Sequence, residues 1–333
     1  MTAPYRIFGS EMSPYSVKVR SYFRFKQIPH IWIPRGPDSE AEYKRFARLP
    51  IVPTVATPDD EGLQDSTPIM DAIEAKFPEP SVHPDDPALR FLSVLIEEFG
   101  DEWGNKLMFH HRWFAEVDRL ASSQTLARLS HPHGTDAEIA ARAGMILERM
   151  SGRGHFVGSS PSNAPLISAY YFALIDLLEP HLQTRKYLFG GRPAFADFGL
   201  GGQLYEASVD PTCGAGMRAR GPAVLDWCHR MMEPRDDDGF EDWSTLAPTL
   251  QPLLAYVGRY FLPWTAANAR ALAAGDAEFS VELPGGTYAQ APQKYHQRSL
   301  TVLKARYQEA AASPGLRSIL EAAGCLADLE AAA

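Results

Sequence analysis

Short strands alternate with helices only in the first 77 residues, and this restriction constrains the fold more than any other feature. The pattern predicts strand, helix, strand, helix, strand, strand and helix in turn, at residues 4–9, 13–26, 30–34, 41–46, 54–56, 62–64 and 66–77. A strand followed by a tight loop and a helix is the opening of an α/β unit. We therefore predict an α/β domain at residues 1–77.

The sequence pattern changes at residues 78–88, a segment rich in proline and acidic residues. We interpret this segment as an interdomain linker. Beyond it, apolar residues keep helical spacing and no strand-like alternation interrupts them. We predict an all-helical second domain at residues 89–261. A helical extension is predicted at residues 262–333, with Leu283-Pro284-Gly285-Gly286 as a loop.

The length of 333 residues favours two domains, and the charge limits the partners. With 41 acidic and 32 basic side chains, the net charge of −9 argues against a nucleic-acid partner, which needs a basic surface. Residues 1–6 lack a signal-peptide pattern, and no window approaches the ~20 apolar residues that span a bilayer, so we predict a cytoplasmic protein with no membrane partner. The three cysteines lack paired spacing, which argues against disulfides and cysteine-bound zinc.

The sequence Ser13-Pro14-Tyr15-Ser16 stands between the first strand and the first helix. Backbone N–H groups at a helix N-terminus face such a loop and attract an anion, including a thiolate. The local sequence leaves two interpretations of Ser13 open, a plain helix N-cap and a hydroxyl that faces a bound anion.

Two further motifs follow in order, Val52-Pro53-Thr54 and, before the next helix, Asp65-Ser66. Together with the Ser13 turn they resemble the glutathione S-transferase family, and the resemblance covers residues 4 to about 255. The turn is similar to the Cys-Pro-Tyr-Cys turn of glutaredoxins and to the omega-class turn, with serine in place of cysteine. The longer match through Arg20 resembles the serine-type zeta pattern.

The resemblance implies a thioredoxin-like α/β domain followed by an all-α domain, and an enzyme that activates glutathione for attack on an electrophilic small molecule. It implies Ser13 as the catalytic residue and a cis peptide bond between Val52 and Pro53. It also implies glutathione as co-substrate, no metal, and a homodimer. The implied glutathione-binding residues are Ser13, Tyr15, Val52, Pro53, Asp65 and Ser66.

Two positions depart from the family pattern. Ile51 stands where a lysine often pairs with the glycine carboxylate of glutathione, which leaves Lys44, Arg45 or Arg48 as substitutes. In the helical domain, residues 188–198 resemble the family's buried capping motif, but the usual Ser/Thr is Ala194. Asp197 is therefore expected to lack its reciprocal capping partner.

The electrophile pocket is expected near the first helices of the second domain, with Trp103, His110 and Trp113 as candidate lining residues. Tryptophans at such positions more often belong to the core, and that alternative stays open. The histidine pairs at 110–111 and 131–133 have no further ligand at suitable spacing, so surface or capping roles are predicted instead of a metal site. Glu97, Glu98, Asp101 and Glu102 are predicted to form a solvated helix face.

Two other functions remain open at this stage. A glutathione-dependent thiol reductase is indicated by the glutaredoxin-like turn, although serines replace both cysteines. A non-catalytic scaffold that binds glutathione or another ligand is indicated by Ile51 and by the long extension, because a fold does not determine a function.

Overall fold

The computed structural model describes residues 3–331, so the last two residues of the predicted extension lie outside it. Its first domain has the predicted order of strands and helices: β1 Tyr5–Gly9, α1 Pro14–Phe25, β2 His30–Pro34, α2 Glu40–Phe46, β3 Thr54–Ala56, β4 Gly62–Gln64 and α3 Ser66–Lys76. The sheet order is β2-β1-β3-β4, with β1 and β2 parallel and the other pairs antiparallel. This is the predicted thioredoxin-like α/β domain.

Helix α1 begins where the sequence predicts because Ser13 and Pro14 are both residues that favour a helix start. Its apolar side is buried, and Val19 and Phe23 belong to the same core as Ile7 of the central strand β1. The alternation of apolar residues in the strands and their helical spacing in α1 thus converge on one core. The N-terminus of α1 is left at the sheet edge where β1 ends.

The second domain is helical and begins at Pro87 after a segment without helix or strand. Its helices are α4 Pro87–Phe99, α5 Asn105–Phe114, α6 Glu116–Ser130, α7 Asp136–Ser151, α8 Ala164–Leu182, α9 Phe195–Ser208, α10 Pro211–Arg220, α11 Pro222–Arg230 and α12 Trp243–Tyr256. A π-helical turn at Gly100–Gly104 joins α4 to α5. No helix among the described residues is long and apolar enough to cross a membrane.

The capping motif before α9 compensates for the missing Ser/Thr. The Asp197 carboxylate accepts hydrogen bonds from the backbone N–H of Ala194 at 2.8 Å, from that of Leu188 at 2.9 Å and from the Trp227 indole at 2.9 Å. Burial raises the pKa of Asp197 to about 7, while these donors oppose the shift. The expected loss of a reciprocal side-chain partner is real, but two other donors satisfy the carboxylate.

The predicted boundary at residue 262 falls inside helical structure. Helix α12 continues through a π-helical segment, Val257–Phe261, into α13 Leu262–Ala274. Pro263 stands where the π-helical segment meets α13 and does not end the run. Only after Gly275, with φ of 76°, does the chain leave the helix.

The extension contains a β-hairpin, so the prediction of a purely helical extension is wrong there. Strands β5 Phe279–Leu283 and β6 Gly286–Gln290 pair antiparallel around a two-residue turn, Pro284-Gly285. Gly285 has φ of 98°, which a residue with a side chain rarely adopts. The predicted loop is therefore the turn of a hairpin. Strand β5 alternates apolar and polar residues, a signal of a strand that the sequence-based prediction overlooked. Helices α14 Lys294–Ala310, α15 Leu316–Ala322 and α16 Leu326–Glu330 follow.

Candidate functional site

Strand register brings the three sequence motifs to one edge of the sheet. Phe8 of β1 pairs with Thr54 of β3, and Thr54 pairs with Gln64 of β4. The residues that follow β1, precede β3 and follow β4 therefore lie beside one another. These are the loop that carries Ser13, the Val52-Pro53 peptide and Asp65-Ser66. We call this edge the candidate glutathione site.

Ser13 is the N-cap of α1. Its backbone is extended, with φ of −111° and ψ of 114°, and its Oγ accepts a 3.3 Å hydrogen bond from the backbone N–H of Ser16. A hydroxyl that accepts one bond still has its own proton to donate. The N-cap role and a role toward a bound anion are therefore compatible.

The other two motifs have the backbone that the sequence argument requires. The Val52-Pro53 peptide bond is cis, as predicted. Asp65 precedes α3 with φ of 77°, an unusual conformation for a residue other than glycine and one that tends to mark functional sites. Burial raises the pKa of Asp65, and its Oδ2 accepts a 3.4 Å hydrogen bond from the Tyr295 hydroxyl.

Asp101, in the π-helical turn of the second domain, contacts two of the predicted site residues. The Tyr15 hydroxyl donates to the Asp101 backbone oxygen at 2.9 Å, and the Ser66 hydroxyl donates to its Oδ2 at 3.4 Å. Burial, followed by the charge of Asp101, raises the pKa of Tyr15 well above its usual value. Tyr15 is thus a neutral hydroxyl directed toward the second domain.

Three of the four acidic residues at positions 97–102 are buried and Glu98 is half-buried, so the predicted solvated face is wrong. Glu97 and Asp101 pair with Lys18 of α1, with Asp101 Oδ2 2.6 Å from Lys18 Nζ, and all three side chains are nearly inaccessible to solvent. Thr67 of α3 donates to Glu97 at 2.7 Å. We call Lys18, Thr67, Glu97 and Asp101 the buried ionic cluster. Helix α4 carries apolar residues all round, which is the pattern of a buried helix, and the prediction of a solvated face did not take this pattern into account.

Charge and burial compete in the buried ionic cluster. Burial alone would lower the pKa of Lys18, but Asp101 and Glu97 raise it above the usual lysine value. Burial raises the pKa of Asp101 to about 7 although Lys18 opposes the shift. The cluster joins α1, α3 and α4 directly behind the candidate glutathione site.

Residues 12–76 match the family model described as the N-terminal domain of glutathione S-transferase. The first domain of this chain is thus similar to the N-terminal domain of glutathione S-transferases. The match includes Ser13, Val52-Pro53 and Asp65-Ser66. Among curated proteins, no sequence matches the chain.

Solved structures of similar fold include a glutathione S-transferase from Methylobacterium radiotolerans in complex with glutathione sulfonate, at 20% identity over 74% of this chain and 94% of that one, with a TM-score of 0.40. The tau-class glutathione S-transferase from mango is 16% identical over 76% and 100%, with a TM-score of 0.43. FzlA from C. crescentus is 15% identical over 89% and 99%, with a TM-score of 0.44. Likenesses this distant carry no argument about function.

The three candidate pocket residues do not come together in one place. Trp103 is buried beside Tyr170 and Trp264, and Trp113 belongs to a small core formed with α6 and α7. His110 is buried as well, with its Nδ1 2.7 Å from the Ser159 hydroxyl, and burial lowers its pKa to about 4.

The predicted surface role is wrong for His110 and His111, since both side chains are buried and help to line a cavity of about 270 Å³. A larger cavity, of about 650 Å³, lies between the loop after β1 in the first domain and helices α6 and α7. Neither Trp103 nor Trp113 lines either cavity. Within residues 3–331 no three side chains of the His, Cys, Asp and Glu types gather as metal ligands.

The sequence argument missed four groups that contact the predicted site residues or their neighbours. Lys18, Asp101 and the hydroxyl of Tyr295 have been described; the fourth is His296, whose Nδ1 meets the Glu102 carboxylate. Tyr295 and His296 lie in the first turn of α14, more than 200 residues after the end of the first domain. Carboxylates at 97 and 101, one helical turn apart within an apolar helix, were the available signal for the buried ionic cluster.

Proposed function

We propose that this protein is a glutathione transferase in which Ser13 stabilises the thiolate of bound glutathione for attack on an electrophilic small molecule. The observation that carries the proposal is the meeting of the Ser13 turn, the cis Val52-Pro53 peptide and Asp65-Ser66 at one sheet edge. The N-terminus of α1, the positive end of the helix dipole, opens onto that same edge.

The chemistry needs a thiolate at neutral pH. A cysteinyl thiol has a pKa near 8.5, so only a few per cent of it is ionised at pH 7. A hydroxyl donor and a helix N-terminus together favour the anion by about 1 to 3 kcal/mol, which lowers the thiol pKa by roughly one to two units. The Ser13 hydroxyl accepts from Ser16 and keeps its own proton for the sulfur. The sulfur then forms the new bond to the electrophilic carbon, and the leaving group departs with its bonding electrons.

In the proposed complex, glutathione binds through the remaining predicted residues. The Val52 backbone pairs with the cysteinyl part, next to Pro53, and Asp65 with Ser66 holds the γ-glutamyl end. We assign the glycine carboxylate to Arg48. Among the substitutes for lysine at position 51, Lys44 is paired with Glu40 and Arg45 with Asp60, whereas Arg48 forms no ion pair within residues 3–331.

Calorimetric titration with glutathione and turnover of chlorodinitrobenzene test the proposal together. We expect glutathione binding that saturates at concentrations up to the millimolar range, and release of chloride as the conjugate forms. Absence of binding at millimolar glutathione would contradict the proposal.

A glutathione-binding scaffold without turnover is the second candidate. It is favoured because two of the proposed binding residues already form hydrogen bonds within the chain. The Ser66 hydroxyl donates to Asp101, and the Asp65 carboxylate accepts from the Tyr295 hydroxyl. A protein that retains glutathione during purification but converts no electrophile in a broad substrate screen would support it. The thiol reductase is not favoured, since Cys213, Cys228 and Cys325 are all buried outside the site.

We also propose, from the resemblance, that the protein is a cytoplasmic homodimer. Helix α14 of the same chain covers part of the surface of α3 and α4. Its Tyr307 lies against Phe91 of α4, and Arg306 pairs with Asp71 of α3 at 2.5 Å. A dimer therefore has to form with α14 in place. Light scattering at micromolar concentration should give twice the 36.8 kDa of one chain, and the mass of a single chain would refute the dimer.

A further inference from the structure

The larger cavity, of about 650 Å³, is bounded by both domains. The first domain contributes the loop after β1, with Ser10 and Glu11, and the segment after β2. The second domain contributes α6 and α7. Much of its wall is apolar, namely Pro34, Pro37, Pro50, Leu126, Leu129 and Ile146. A volume of this size accommodates a small organic molecule.

Arginines dominate the polar part of the wall. Arg142 and Arg149 lie two turns apart on α7, and Arg153 follows that helix. Arg142 Nε donates to the Ser130 hydroxyl at 3.0 Å, and none of the three forms an ion pair with any residue from 3 to 331. A fourth arginine in the wall, Arg35, is paired with Glu40 at 3.2 Å.

The negative charges near the cavity are already engaged. Glu40 accepts from Arg35, and Glu11 pairs with Arg20 at 2.6 Å. Burial lowers the pKa of Arg149, and the positive charges of Arg153, Arg142 and Arg35 lower it further. The arginines of the wall therefore repel one another, and no acidic residue of the wall offsets this repulsion at Arg149. An anion in the cavity would relieve this repulsion, and arginine is well suited to bind carboxylate, sulfonate or phosphate groups.

We propose that this cavity binds the second substrate of the transferase and that this substrate is an organic anion with a compact apolar body. Arg142, Arg149 and Arg153 hold the anionic group, while the prolines, leucines and Ile146 contact the body. The inference rests on the proposed function, because Ser10 and Glu11 place the cavity beside the loop that leads to Ser13. In the reaction the glutathione sulfur forms a bond to the electrophilic carbon, the leaving group departs with its bonding electrons, and the thiol proton passes to solvent.

The test uses two aromatic chlorides that differ by one carboxylate, chlorodinitrobenzene and chlorodinitrobenzoate. Each loses chloride as the carbon–sulfur bond forms. In the triple variant Arg142→Gln/Arg149→Gln/Arg153→Gln, kcat/KM for the benzoate should fall by at least roughly tenfold while that for the neutral compound changes less than about twofold. The matched control Arg218→Gln/Arg270→Gln/Arg298→Gln removes three exposed arginines elsewhere and should leave both values unchanged. Equal losses of kcat/KM for the two compounds in the triple variant would overturn the proposal.

A binding measurement separates this inference from the transferase proposal. Anilinonaphthalene sulfonate and phenylnaphthylamine are fluorescent probes that differ essentially by the sulfonate. We expect the triple variant to weaken the sulfonate probe by roughly tenfold and the neutral probe much less, with glutathione affinity unchanged. This result supports the anion site even if no chloride is converted, in which case only the transferase proposal fails. Unchanged affinity for the sulfonate would contradict the anion site even if transferase activity is present.

Discussion

Replacing Lys18 with methionine should lower the free energy of unfolding by about 3 to 5 kcal/mol at pH 7, because removal of one partner leaves buried carboxylates without their counter-charge. Lys18 is the only basic partner of Glu97 and Asp101 among the ion pairs within residues 3–331. One oxygen of each carboxylate already lacks a hydrogen-bond partner. Chemical denaturation followed by far-ultraviolet circular dichroism measures the change.

The deficit should shrink as the pH falls from 7 toward 4. Burial already raises the pKa of Asp101 to about 7, and loss of Lys18 removes the charge that opposes this shift. An acid with a raised folded-state pKa gains stability as the pH falls toward its unfolded value of about 4, because the folded protein then binds the extra proton. Lys44→Met is the matched control. Lys44 is exposed and its pair with Glu40 is worth less than about 1 kcal/mol. A Lys18→Met protein as stable as the parent at pH 7 would show that the cluster does not hold α1 against α4.

Replacing Ser13 with alanine should lower turnover at neutral pH roughly tenfold to a hundredfold, because a hydrogen bond to a charged sulfur is worth about 1.5 to 3 kcal/mol. Glutathione affinity should change less, since Val52, Asp65 and Ser66 are proposed to hold its backbone. Activity should recover as the pH rises toward 9, where the thiol ionises without help. Initial rates against pH at saturating glutathione provide the measurement.

Ser16→Ala is the matched control for Ser13→Ala. The Ser16 hydroxyl is buried and has no hydrogen-bond partner within residues 3–331, so its loss should leave turnover and its pH profile unchanged. Loss of the Ser13 N-cap also destabilises α1 by about 1 kcal/mol. The rates therefore have to be compared at a temperature where both variants are fully folded. A Ser13→Ala protein with the parent's rate and pH profile would limit Ser13 to its N-cap role.

The first domain was predictable because its signals are local. Alternating apolar strands, the serine and proline at the start of α1, and the turn residues between β3 and β4 each determine their own element. The placement of the site motifs followed from the fold, because strands paired in register bring their ends together. The Thr135–Glu138 capping box at the start of α7 is a signal of the same local kind.

Contacts between distant segments could not be predicted in the same way. The hydroxyl of Tyr295 reaches Asp65 across 230 residues, and no periodicity in α14 indicates such a contact. The acidic residues 97–102 have the composition of a solvated face, and the burial of Glu97 and Asp101 is tolerated because Lys18, distant in the sequence, pairs with both. The arginines at 142, 149 and 153 likewise gain significance only because the structure sets them opposite the loop after β1.

If Ser13 stabilises the thiolate of bound glutathione, the ionisation of the bound thiol must depend on Ser13, and this ionisation can be measured directly. Ultraviolet difference absorbance of the glutathione complex, titrated with base, reports the thiolate as it forms. We expect the bound thiol to ionise roughly one to two pH units below free glutathione in the parent and in Ser16→Ala, and close to the free value in Ser13→Ala. A bound thiol that ionises at the free value in the parent, or at an equally lowered value in Ser13→Ala, would contradict this role of Ser13.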